Sequence, residues 1–178
     1  MNNFRSWVEV DAAAIHHNLK SIRSNLPSSV ALAPVIKANA YGHGIDCLAQ
    51  ILPSGQSLLC VDSLDEAQKV REFRGLNEPI LIMGYIPVGK LESLDTNMLP
   101  VVYETEHLEV LAEFRPSQNV HVKIETGLNR QGVALDDLSD FLQKIDELGL
   151  KIVGAYTHYA NVEDTLDTSF FELQYEIF

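Results

Sequence analysis

A chain of 178 residues of which 46% are hydrophobic is long enough to bury a substantial core in one domain of ordinary size, which excludes wholesale disorder. Lys and Arg number 13 against 25 Asp and Glu, a net charge of −12, and no basic cluster is present to neutralise phosphates, which argues against a nucleic-acid partner. No apolar run approaches the roughly 20 residues that a membrane-crossing helix needs, and the opening MNNFRSWVEVD is too polar for a secretory signal, so a soluble cytoplasmic protein is expected.

The first element is an amphipathic helix. Ile15, Leu19, Ile22 and Leu26 share one face, and Asp11 is placed to cap its first amide groups. Val30 to Ile36 follows as an apolar run without helical spacing, a buried strand ending at Lys37. Further strands are expected at Leu58–Val61, Ile80–Met83, Leu99–Tyr103, Val120–Ile124 and Ile152–Tyr156. Between them, Ser63 with Glu66 forms a capping-box pattern for a helix that Gly75 ends. The segment Gly84–Met98 and the segment Thr105–Arg115, with Leu108, Leu111 and Ala112 on one side, read as helices. Leu138, Phe141, Leu142, Ile145 and Leu148 form a stripe that Gly149 stops, and Ser169–Phe178 closes the chain as a helix.

Strand and helix alternating at short spacing implies parallel strands with right-handed crossovers, in an open doubly wound sheet or in a (β/α) barrel; periodicity does not choose between them. A complete barrel has eight strands in about 250 residues, so six strands would be an unfinished one. In either architecture the reacting groups gather just after the strands.

Lys37 stands at such a place, where desolvation would favour the neutral amine needed for imine formation; position alone favours the other reading, a solvated lysine capping the strand. Tyr41, Gly42, His43 and Gly44 add a phenol and two backbone positions that a phosphate could approach closely, or simply a turn. Cys47 and Cys60 are expected as buried, reduced thiols. No histidine has a second ligand at metal spacing, so no metal site is expected, and there is no dinucleotide fingerprint or Walker loop.

The segment KANAYGHG, Lys37 to Gly44, resembles the cofactor-attachment signature of alanine racemases. This resemblance implies pyridoxal 5′-phosphate (PLP) held as a Schiff base by Lys37, with Tyr41 near the cofactor phosphate. Residues 121–132, HVKIETGLNRQG, resemble the family's strand, Thr-Gly turn and arginine. Arg130 then inherits the substrate-carboxylate role, for which a planar guanidinium is suited. Lys123 falls where family members often carry a carbamylated lysine; the other reading is a lysine facing solvent. Residues 154–160, GAYTHYA, are similar to the family's strand ending in Thr-His, which implies His158 against the cofactor ring, although a lone strand-end histidine is more often structural.

The resemblance extends to Trp7–Asp11, a short strand that in the family pairs with a separate carboxyl-terminal β domain. It implies that residues 1–178 are the amino-terminal part of a PLP-binding (β/α)8 TIM-type barrel, with about six of its eight strands and without the β domain. Racemisation of alanine for peptidoglycan would follow, in a cytoplasmic homodimer whose partner subunit supplies a tyrosine base. As a fragment, the chain is expected to be inactive alone. Two rivals are a non-catalytic PLP carrier, which has no need of Arg130, and a cofactor-free interaction module in which Lys37 caps a strand; serine or broad-specificity racemases share the same motif.

Overall fold

The computed structural model describes residues 5–54, 58–75, 77–163 and 166–178, so Met1–Phe4 of the opening segment lie outside the described residues. The chain forms two compact units, Met1–Gly84 and Tyr85–Phe178.

In the first unit, Asp11 caps helix α1 (Ala12–Ser24) as expected, its Oδ1 accepting from Ala13 N at 2.8 Å and Ala14 N at 3.2 Å. None of the α1 residues is buried, however. From the stripe Leu19 lines a cavity of about 600 Å³, together with Val30, Leu32, Pro34 and Leu59. The Arg23 guanidinium fastens the loop below by donating to the carbonyls of Pro27, Ser28 and Val30.

The strand expected at Val30–Ile36 is reduced to one parallel bridge, Val35 to Cys60. Pro34 has no N–H to extend a ladder. The contact is made instead by Cys60 N donating to Pro34 O at 2.9 Å and Ile36 N to Cys60 O at 2.8 Å. Likewise, residues 5–11 form no strand, and Trp7 and Val8 are exposed. Helices α2 (Lys37–Tyr41) and α3 (Ile45–Ile51) follow, then strand β1 (Leu59–Val61), helix α4 (Leu64–Phe73) and strand β2 (Ile80–Ile82). Strands β1 and β2 pair in parallel and are buried throughout, as the apolar runs require. Cys60 is buried within β1, where desolvation pushes its thiol up to about 11; Cys47 is only half-buried, less than expected.

In the second unit, Val88–Ser93 is a 3-10 helix where an α-helix was expected. Strands β3 (Met98–Val102), β4 (Asn119–Lys123) and β5 (Lys151–Tyr156) pair in parallel in that order. Helices α5 (Thr105–Phe114), α6 (Leu135–Glu147) and α7 (Ser169–Ile177) follow β3, β4 and β5. The stripe of α6 buries Phe141 and Ile145, and Gly149 reverses the chain at φ +70°. On β5 most residues stay exposed, Ile152 and Val153 among them. Five of the six expected strands are therefore present among the described residues.

A glycine is obligatory in β5. A Cβ on Gly154 would lie 2.4 Å from the His121 ring, which crosses from β4 over this position. Gly154→Ala is expected to destabilise the fold by about 1–3 kcal/mol, as overpacking does. Gly75→Ala, where nothing lies within 4 Å, should be near neutral; denaturant titration of both variants checks the contrast. Burial also lowers the proton affinity of His121 and of His107, whose Nε2 donates to Ile86 O at 3.1 Å. Each is held neutral when folded but takes a proton near pH 6.5 when unfolded. Their contribution is thus complete above pH 6.5 and is lost as the pH falls below it. Denaturation midpoints should decline from pH 7.5 to 5.5, less steeply in a His121→Asn variant.

Candidate functional site

Lys37, Tyr41 and the loops after β1 and β2 belong to the first unit; Lys123, Arg130 and His158 belong to the second. All stand at carboxyl ends of strands or of the bridged segment at Val35, where parallel α/β folds collect their chemistry.

Helix α2 is left-handed. Ala38, Asn39 and Ala40 have φ of 51°, 54° and 53° with ψ of 49°, 46° and 45°, and Tyr41 has φ 52°. Four consecutive non-glycine residues in this region cost roughly 4–8 kcal/mol against the right-handed form. The motif supplies what holds them. Ala40 N donates to Ile36 O at 2.9 Å, and Gly42 N and Gly44 N donate to Asn39 O at 3.1 and 3.0 Å. The Asn39 side chain accepts from Ile45 N at 3.0 Å and so opens α3. Gly42 and Gly44 both need positive φ, at 92° and 93°. Ala40 is small enough to be buried there, while Tyr41 projects outward, 62% exposed.

One carboxylate ties this turn to the end of β1. Glu66 accepts from Asn39 N at 3.3 Å through Oε1 and from Asp62 N at 2.9 Å through Oε2. Half of the expected capping box is present, because Ser63 Oγ accepts from Glu66 N, but the glutamate reaches one residue further back than the pattern requires. Asp62 in turn faces Lys37, Oδ1 to Nζ 3.5 Å, and its backbone carbonyl accepts from Gly84 N at 2.9 Å. A Cβ on Gly84 would meet that carbonyl at 2.5 Å. The Lys37 side chain retains 36% of its exposure, so it is not desolvated as its strand-end position suggested; its partner is a carboxylate.

In the second unit Lys123 does not face solvent. It ends β4 only 4% exposed, with Nζ 3.4 Å from Gln131 Oε1 and 5.6 Å from the centre of the Tyr156 ring. Gln131 Nε2 donates to Tyr103 OH at 3.0 Å. Arg130 lies exposed on the following loop, and Glu125 organises that loop. Its Oε1 accepts from Gly127 N and from Asn129 N at 3.0 Å, and its Oε2 from Arg130 N at 3.1 Å. Burial alone would raise the Glu125 carboxyl, but backbone donors from Asn129, Gly127, Arg130 and Leu128 together outweigh it and hold it below its ordinary value. His158 follows β5 with its ring exposed, and its carbonyl accepts from Gln174 Nε2 at 3.2 Å.

Glu66, Asp62, Glu125, Gln131 and Gln174 were not singled out from the sequence as site residues. A signal existed for Gln174, the one polar side chain on a stripe with Phe171 and Phe178. Glu125 has none beyond its place before a Gly-rich turn.

The description "Alanine racemase, N-terminal domain" fits residues 10–178 of the chain. This chain belongs to the alanine racemase family. It is 33% identical to the alanine racemase of Leptospira interrogans over 181 residues, covering 99% of this chain and 46% of that protein. It is also similar to the crystal structure of the Bacillus anthracis alanine racemase with bound L-Ala-P, with a TM-score of 0.82 and 31% identity over 96% of this chain and 45% of that one. A histidine racemase from Leuconostoc mesenteroides matches with a TM-score of 0.81 at 26% identity, over 93% of this chain and 46% of that one. The five parallel strands are accordingly part of the family's TIM-barrel-like amino-terminal domain, and the chain spans less than half the length of these relatives.

The Glu125 clamp is testable by proteolysis. Glu125→Ala removes an acceptor shared by several backbone N–H groups, each charge-assisted bond being worth about 1.5–3 kcal/mol. Trypsin cleavage after Arg130 should accelerate at least about tenfold, with Glu125→Gln intermediate. Unchanged cleavage kinetics in both variants would show that the loop is ordered by something else.

Proposed function

We propose that residues 1–178 are the amino-terminal part of the barrel domain of a PLP-dependent racemase interconverting L- and D-alanine, with Lys37 as the cofactor lysine. The left-handed turn after Lys37 carries the reading. Strain of that size persists only where surrounding bonds over-determine it, and such places cluster at functional sites.

The residues at hand suit PLP. A primary amine is available for its aldehyde, the exposed Tyr41 phenol can donate to a phosphate, and the backbone at Gly42 is open, with nothing within 4 Å of an added Cβ. When bound, PLP supplies an electron sink for the charge left when the α-proton is removed. The Lys37 amine moves that proton on one face of the substrate, and Asp62 Oδ1 gives its ammonium form a partner. Arg130 offers two parallel donors to the substrate carboxylate, from a loop that Glu125 keeps in one conformation. Carbamylation of Lys123 would replace a buried cation by an anion next to Gln131; its burial and inward aim support that reading over a solvated lysine. His158 takes the cofactor ring.

The second base, on the opposite face, is assigned to a partner subunit of a cytoplasmic homodimer that supplies D-alanine for peptidoglycan. The names of the relatives favour alanine as substrate, while the histidine racemase shows that a similar scaffold occurs in an enzyme named for a larger amino acid. A cofactor carrier would use Lys37 equally, but an arginine loop organised around Glu125 has no task in it.

Incubation with PLP, borohydride reduction and peptide mapping should place the label at Lys37, and Lys37→Ala should abolish it. Label spread over many lysines would overturn the assignment. With the second base assigned outside residues 1–178, this 178-residue segment by itself is expected to release no D-alanine from L-alanine, and measurable release would overturn that assignment.

A further inference from the structure

Gln174 is fully buried on α7, at 0% exposure, the only α7 residue so enclosed among those described. Burying an amide without partners is costly, and a glutamine can offer two N–H donors and an acceptor oxygen. All of this capacity is used, and every partner lies in one of two loops. Nε2 donates to Thr126 Oγ1 at 3.1 Å and to His158 O at 3.2 Å, and Oε1 accepts from Ala160 N at 2.8 Å. The orientation of the amide is dictated, because Ala160 N can only donate and His158 O can only accept.

Thr126 continues the chain of bonds. Its Oγ1 lies 2.7 Å from Thr157 Oγ1, which joins the ends of β4 and β5 a second time. Gly127 packs flush on the same helix: a Cβ there would meet Phe170 at 3.0 Å and the Gln174 side chain at 3.7 Å. Thr126 and Gly127 begin the turn whose later N–H groups Glu125 holds, up to Arg130.

We propose that Gln174 is a positioning residue that sets the Arg130 loop relative to the His158 loop. The roles of those two residues rest on the racemase reading; the coupling between their loops does not. Gln174 acts through the backbone at His158 and Ala160 and through the Thr126 hydroxyl.

Amide hydrogen exchange on the full chain tests this, with Gln174→Met as a near-isosteric variant lacking the amide. Thr168→Ala is the control. It weakens the start of α7 by removing the 2.8 Å Thr168–Glu172 bond while leaving the amide network alone. Gln174→Met should speed exchange at Gly127 and Asn129, in the loop where it breaks no backbone bond directly, by about tenfold. Thr168→Ala should not. Acceleration confined to Ala160, or equal effects in the two variants, would overturn the proposal.

Gln174→Glu adds a pH profile that mere space-filling cannot produce. A buried glutamate has a carboxyl raised by desolvation, accepts only when ionised and donates when protonated. Its loops should therefore loosen above the pH at which that carboxyl ionises and tighten below it, after correction for intrinsic exchange. A flat profile counts against the amide's donors as the cause. PLP trapping at Lys37 is read separately. Its absence in the unsubstituted chain would sink the racemase reading and leave the coupling standing, whereas failure of the exchange result would leave Lys37 unaffected.

Discussion

The left-handed turn at Ala38–Tyr41 is the constraint on which the candidate site depends. Its cost is met by the carbonyls of Ile36, just before the motif, and of Asn39, within it, and by the Glu66 carboxylate from another helix. Because Glu66 also holds Asp62 N, the turn that follows Lys37 and the loop that presents Asp62 to Lys37 share one anchor. The placement of the lysine is thus a property of α4 as much as of the motif itself.

A similar device recurs in the second unit. Glu125 gathers the N–H groups of Gly127, Asn129 and Arg130, as Glu66 gathers those of Asn39 and Asp62. Loops at the carboxyl ends of parallel strands leave backbone donors without ladder partners, and an ionised carboxylate, acceptor-only and able to take several bonds, satisfies them compactly. Gln174 is the neutral counterpart, needed where a carbonyl as well as N–H groups must be met.

Strand order and burial follow from the same economy of backbone bonds. Strands β1, β2 and β3 read as continuous apolar runs and are buried throughout, whereas β5 keeps Ile152 and Val153 exposed despite their apolar side chains. Helix α1 illustrates the same distinction. Its cap at Asp11 and its stripe specify a helix locally, yet burial of the stripe needs a surface to pack on, and no residue of α1 is buried.

The alternation of strands and helices, the caps at Asp11 and Ser63, and the membership of Lys37, Arg130 and His158 at strand ends were legible in the sequence, because periodicity, capping chemistry and a contiguous motif are local properties. The sense of the turn after Lys37 was not: two alanines and a tyrosine do not announce a left-handed conformation, which is held by bonds within residues 36–45 together with the distant Glu66 carboxylate. Nor was the first strand's reduction to a single bridge, or the burial of Lys123, which depends on which face of β4 meets Tyr156 and Gln131. By itself the sequence determined which residue types stand at the ends of strands. Only the tertiary structure decided how those ends are tied to one another, since the bonds from Glu66 to Asn39 and from Gln174 to Thr126, His158 and Ala160 join residues far apart in the chain, whereas Glu125 works within its own loop.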